Sequence, residues 1–431
     1  MGKGGGAVSS NAQQDGMIAT YGDASDSGPS EDFDRILHTA GDRPNTDTLP
    51  ALTDPAADHT SLDLARRRDD VEEKHRRIIA FLDATGQDAA ILGRADSLAW
   101  FTAGGDLGAD LGLETSPVLL YVNRSCRCVV TDNVQSARIF EEELAGLGFQ
   151  VKERAWYDDP SRVVEELSHN KRVASDLGPR SSAWAREADA LRSLRWPMTA
   201  LERRRIRELG RTLTLAVEAT CRNFDRGETE ADVAGHLAHR LVREGAVPLE
   251  LGIAGDDRLA RFRQPRFKAA PIKQRATITA TARRFGLCAS VSRTVMFGPV
   301  DPETLARHAL ATMVDATCIY FSRPGEKVSE VLRRARRIYE KFHRPHEWTL
   351  DYPGFLIGYA PREVLLVPDS TLTLGSGTAI CWSPSVGSAR SSDTIVIDER
   401  GYECVTAAQK WPQLDVAVKG FVIPRPAILE R

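Results

Sequence analysis

Between Ala200 and Thr406 the chain spells one order of elements twice: long helix, second helix, strands, then helix, helix, strands again. In the first pass Ile206, Leu209, Leu213, Val217 and Thr220 keep helical spacing. The next helix has Thr229 as its cap, Asp232 completing a capping box and Gly245 as its stop, with a stripe of Val233, Leu237 and Leu241. "ATITATA" and "CASVSRTVMF" read as strands around a turn at Gly286. The second pass starts at "DPETLARHALATMVDATCIYF", capped by Asp301 with Pro302 at the first helical position. It continues in "KVSEVLRRARRIYEKF", which places Val328, Leu332, Ala335, Ile338 and Phe342 inside, and closes with the short strands "TAICWSP", "DTIVID" and "YECVT". Two such units packed about a pseudo-two-fold axis leave a cleft between their sheets, and ligand sites usually form in clefts of that kind.

Upstream, "DVEEKHRRIIAFLDATG" puts Val71, His75, Ile78, Ile79 and Leu82 on one helical face. Strands "DAAILG", "PVLLYVN", "CRCVVT" and "RVASDLG" alternate with helical stretches, among them "VQSARIFEEELAGLGF". That alternation predicts an α/β domain over 61–195, followed by a second domain over 196–431. Residues 1–60 hold ten acidic against three basic residues, and the only apolar periodicity is in "FDRILHTA". They read as a disordered acidic tail.

Charge and composition exclude several classes. A net charge of −3 predicts no attraction to nucleic acid or to an anionic membrane. No run of about 18 apolar residues is available to span a bilayer. "MGKGGGAVSS" lacks the apolar region of a signal peptide, and Gly6 breaks the myristoylation pattern. The seven cysteines, an odd number, lie mostly in apolar stretches, as reduced thiols of a cytoplasmic protein do. Cys126 and Cys128 read as same-face strand residues rather than a metal clip. There is no nucleophile elbow, phosphate loop or dinucleotide fingerprint, and Cys288 on the hairpin reads as a buried strand thiol.

Five stretches, in order, carry a resemblance: "LRWPMTALERRRIR" with Glu202 kept and Met198 where lysine is usual; "RGETEADVAGHLAHRLVREG" through Gly227, Thr229 and Glu230; "GLCASVSRTVMFG"; "GFLIGYAPREVL"; and "CWSPSVGSARSSDTIVI" followed by Thr406. Together they resemble the creatinase, Xaa-Pro aminopeptidase and prolidase group of the M24 type, from Leu62 to Val405. The resemblance implies a creatinase-like N-terminal α/β domain plus a C-terminal pita-bread domain, α+β and duplicated about a pseudo-two-fold, commonly in a homodimer. It also implies two divalent metals held by two Asp, one His and two Glu. Carried over by position, those ligands fall on Thr279, Ser290, Tyr352 (with Asp351 the alternative if a gap intervenes), Ser383 and Ser392. The substrate-contacting His falls on Gln264.

Neutral hydroxyls hold hard dications poorly, so neither a metal nor a cofactor is expected, and metal-activated water is not available. What remains is a cleft of hydroxyls with Arg261, Arg263, Gln264, Arg293, Thr281, Ser292 and Arg362 near it. Arginine forks bind carboxylates and phosphates. A small anionic or peptide-like ligand is therefore expected in a protein that does no chemistry. The large subunit of the FACT histone chaperone uses the same fold in that way. The alternative is a creatinase-type, metal-independent hydrolase of a C–N bond in a small amide or guanidino compound. It needs a proton-moving group, for which His346 and Asp351 in "KFHRPHEWTLDY" are the candidates. His343 reads better as the cationic end of a helix.

Overall fold

The computed structural model describes residues 61–107, 115–177 and 183–431; the expected acidic tail, 1–60, lies outside them. The N-terminal part is built on a five-stranded sheet of order β4-β3-β2-β1-β5. Its strands are β1 (Ala89–Arg94), β2 (Thr115–Asn123), β3 (Arg127–Asp132), β4 (Gln150–Arg154) and β5 (Val173–Ser175). Helix α1 (Ser61–Thr85) packs the predicted stripe of Val71, Ile78 and Leu82 into the core. Around the sheet lie α2 (Ala95–Phe101), α4 (Pro160–Ser168) and α5 (Ala183–Ser193). "VQSARIFEEELAGLGF", expected as a full helix, shortens to α3 (Ser136–Arg138) running into a π turn over Ile139–Glu143. Gly146 and Gly148, at φ 73° and 75°, end it.

The second part follows the duplicated order. Helix α6 (Ala200–Asn223) is capped by Thr199 and Glu202 in a reciprocal box, a pair that is legible only once Glu202 is read as a cap. Helix α7 (Glu230–Arg243) has the expected Thr229–Asp232 box. The chain then runs through β6 (Val247–Gly255), α8 (Asp256–Arg261), β7 (Arg275–Arg284) and β8 (Leu287–Met296), with α7 lying against β6 and α6 against β7 and β8. The apolar face of that sheet, Ile278, Ala280, Ala282, Ala289 and Val291, joins Leu209, Leu213, Val217, Leu237 and Leu241 in one core. Each such side chain stabilises the fold by roughly 1.5–3 kcal/mol on burial. Gly210 is required inside α6 because a Cβ there would lie 2.2 Å from the carbonyl oxygen of Val405.

The second unit consists of α9 (Pro302–Phe321), α10 (Val328–Lys341) and a sheet of order β10-β9-β11-β14-β15. Its strands are β9 (Gly354–Leu356), β10 (Val364–Leu365), β11 (Ala379–Trp382), β14 (Asp393–Asp398) and β15 (Gly401–Cys404). Asp301 caps α9 on the Thr304 amide at 2.9 Å. Phe342, expected inside, is exposed, because α10 ends one residue earlier. A two-stranded hairpin, β12 (Ser385–Val386) and β13 (Ala389–Arg390), enters the cleft between β11 and β14. A second hairpin, β16 (Gln413–Val418) and β17 (Phe421–Pro426), and the strand β18 (Leu429–Glu430), which adds in parallel to β8, close the chain. Neither has a counterpart in the sequence reading. Among the described residues no helix is long and apolar enough to cross a membrane.

Lys74 joins the two parts. It is fully buried, with its Nζ 2.5 Å from Asp70, 2.6 Å from Glu202 and 2.7 Å from the Trp100 carbonyl oxygen. Glu202, kept from the interdomain motif, thus receives its ammonium from α1, while Met198 at the usual lysine position is buried in the core.

Candidate functional site

On the cleft-side face of β7 and β8 the antiparallel register sets hydroxyl against hydroxyl: Thr277 opposite Thr294, Thr279 opposite Ser292, Thr281 opposite Ser290. The pairs hydrogen-bond at 3.0, 3.1 and 3.0 Å. Thr279 and Ser290 therefore satisfy neighbours across the ladder and do not pair with each other. Beyond them the two units touch directly. The Ser292 amide donates to the Ser392 carbonyl at 3.0 Å, and the Thr394 hydroxyl accepts from the Ser290 amide at 2.9 Å. Ser392 is fully buried beside Cys381, Oγ to Sγ 3.3 Å, where burial pushes the Cys381 thiol up to about 12. Burial likewise pushes the Cys288 thiol up, so neither cysteine is a ready nucleophile.

Facing this ladder is a residue that the sequence reading missed. Ser385 and Arg390 are cross-strand partners in the β12–β13 hairpin, whose turn uses Gly387 at φ 55°. The Arg390 guanidinium donates to Ser383 Oγ at 2.6 Å, to the Ser383 carbonyl at 3.0 Å, to Asp351 Oδ2 at 2.5 Å and to the Arg263 carbonyl at 2.7 Å. Asp351 also accepts from Gln264 Nε2 at 2.9 Å, Ser385 Oγ at 3.1 Å and the Tyr352 amide at 3.0 Å. Asp351, Gln264 and Ser383 are thus brought together, around a cation supplied by the chain itself. The one available signal was a basic residue two positions before Ser392 in a Gly-Ser-rich turn. The space left between ladder and guanidinium, lined by Thr277, Thr279, Arg263, Ser385 and Arg390, is about 20 Å³, room for about one water.

The other predicted residues lie as follows. Arg263 is held by Glu347 at 2.7 Å and the Gly387 carbonyl at 2.5 Å. Arg293, on the opposite face of β8, is only 1 % exposed and contacts Asp393 at 3.1 Å, the Thr406 carbonyl at 2.9 Å and Glu218 at 3.5 Å. Arg362 pairs with Glu250 at 2.8 Å and stacks over Tyr352, whose phenol is pushed up by burial. Arg261 is exposed, with its guanidinium 5.4 Å from the Phe262 ring centre. His346 is exposed and N-caps the 3₁₀ turn Glu347–Thr349, away from the Arg390 cluster in its hydrogen bonding. His343 sits just past the end of α10 at φ 56°.

A dinuclear metal centre does not fit this donor set. The positions that the resemblance assigns to ligands carry neutral oxygens. Four of the five hydroxyls are engaged, Thr279 by Ser292, Ser290 by Thr281, Ser383 by Arg390 and Ser392 by Cys381. A guanidinium in contact with Ser383 repels a second cation. Among the described residues no group of three or more His, Cys, Asp or Glu is placed to hold a metal ion.

The fold is of the creatinase and prolidase type, with a pita-bread second domain. Three solved structures illustrate it. Dipeptidase PepE from Mycobacterium ulcerans is 19 % identical at a TM-score of 0.66, over 79 % of this chain and 96 % of its own. The Xaa-Pro dipeptidase from Bacillus anthracis is 14 % identical at 0.67, over 84 % of this chain and 100 % of its own. The N-terminal domain of FACT complex subunit SPT16 from Cicer arietinum is 12 % identical at 0.60, over 80 % and 97 %. Identities this low show a shared fold alone. By sequence, residues 204–399 match the model of metallopeptidase family M24. No curated protein matches the sequence.

Proposed function

We propose that this chain is a pseudoenzyme of the M24 family, a protein that binds a small anionic or peptide-like ligand without metal and without hydrolysing it. One observation carries the reading: the Arg390 guanidinium is fixed between Ser383 and Asp351 at the heart of the cleft. A tethered cation there competes with any divalent ion, and the hydroxyl ladder offers no general base. The remaining space is far below the several hundred Å³ that enclose a small ligand, so binding belongs at the cleft mouth. Arg263 and Arg293 are already neutralised by carboxylates. The free cation of the mouth is Arg261 beside the exposed Phe262, with no carboxylate partner among the described residues. That pairing of charge and ring suits a peptide with an acidic or C-terminal carboxylate group.

Hydrolysis of Xaa-Pro dipeptides and of creatine, measured with and without added manganese, tests the proposal. No turnover is expected in either condition. Manganese-dependent cleavage of the dipeptides would overturn the reading, and metal-free cleavage of creatine would establish the creatinase-type alternative instead. Sedimentation of the full chain checks the homodimer that the resemblance implies.

A further inference from the structure

A larger recess lies on the far side of the segment that carries Asp351. It measures about 720 Å³ and is walled by α10 on one side, by the turn and loop from Trp348 to Pro353 on the other, and by Leu366–Pro368 at the end. The volume falls in the range that encloses small ligands. Its surface is mostly apolar, with Leu332, Tyr339 and Trp348 as the main walls. The small side chain of Ala335 on the helix leaves the middle unfilled. Leu350 and Val367 at its edge are exposed, 55 % and 50 %, an apolar rim with nothing of this chain's described residues over it.

The charge around the recess is one-sided. Val328–Lys341 carries Arg333, Arg334, Arg336, Arg337 and Lys341 against Glu330 and Glu340. The two carboxylates in the lining are already held: Glu330 by Arg333 at 2.5 Å, and Asp351 by Arg390 at 2.5 Å. Arg336 lies 4.9 Å from the Trp348 ring centre and bonds Glu340 through Nε alone, its Nη groups bonding no described residue. A ligand with an apolar body and a negative head matches both features, whereas a cationic one would meet the arginine face.

We propose that this recess binds a small amphiphilic carboxylic acid, an aliphatic or arylalkyl chain lying against Trp348 and Leu332 with its carboxylate on Arg336. The site is separate from the M24 cleft and does not depend on what the cleft does. Calorimetric titration of the full chain with decanoate below its micelle concentration tests it. Saturable binding of one equivalent per chain is expected, with decan-1-ol at least about tenfold weaker, a difference of about 1.4 kcal/mol. Arg336→Glu should weaken decanoate about tenfold, as should Leu350→Asp. Both surface variants replace exposed side chains, and an unchanged unfolding midpoint separates lost binding from lost fold. Absence of saturable decanoate binding would overturn the proposal. So would alcohol bound as tightly as acid, or parental affinity in Arg336→Glu.

Discussion

Two charged clusters join the halves of the pita-bread domain, and they differ in depth. The deep one runs from Glu218 through Arg293, Asp393 and Arg425 to Asp315, with every side chain at most 3 % exposed. Ser391 and Thr406 add hydroxyl donors to its aspartates. The shallow one, Arg390 with Asp351 and Arg263 with Glu347, lines the cleft and keeps some contact with solvent. Their partners differ too. The deep arginines share three carboxylates from three elements, Glu218 of α6, Asp315 of α9 and Asp393 of β14, whereas Arg390 has the single carboxylate of Asp351. The deep cluster holds the two units in register. The shallow one occupies the place where chemistry would otherwise be done.

The largest test of that difference is Asp393→Ala. It removes the carboxylate that Arg293 and Arg425 share, leaving Glu218 and Asp315 as their remaining partners in the interior, and should cost about 3–5 kcal/mol in urea unfolding. A cost below about 1 kcal/mol would show that the network is dispensable. Next comes pH. Burial pushes the Asp315 carboxyl up to about 6, against the pull of Arg425. The folded chain then keeps a proton that the unfolded chain has released, so this group's contribution to stability falls as pH rises from about 4 to about 6. Asp315→Asn cannot titrate. Across that window the stability of the variant relative to the parent should rise by about 3 kcal/mol; parallel pH profiles would refute the assignment.

Arg390→Ala should cost less, roughly 2 kcal/mol, because Gln264, Ser385 and the Tyr352 amide still serve Asp351. A cost equal to that of Asp393→Ala would erase the distinction between the clusters. Smallest is the ladder. Thr279→Val leaves Ser292 without its partner and should cost about 1 kcal/mol, and adding Ser292→Ala should recover most of that loss. Full additivity of the two would mean that the hydroxyls do not interact.

How far the chain could be read in advance depended on range. The Thr229 box and the Asp301 cap were visible because their partners lie three residues away. The duplicated order was visible because helical stripes and strand alternation repeat locally. Arg293 was located but not its partner Asp393, a hundred residues away, and Arg390, which finds Asp351 thirty-nine residues back, was not located at all. Such pairs depend on which strands the fold sets side by side, and composition carries no trace of that. The shortened helix after Asp132 and the closing hairpin were missed because glycines and neighbouring strands outweighed local propensity there.

The sequence by itself determined the element order, the family likeness and the replacement of five ligand positions by hydroxyls, since each is a matter of residue type and spacing. Only the tertiary structure decided what those hydroxyls do. Closing the hairpin pairs Thr279 and Ser290 with hydroxyls of their own ladder, and the second unit sets Arg390 on Ser383. Electrostatic fit is a property of distance, and distances between remote residues exist only once the chain has folded.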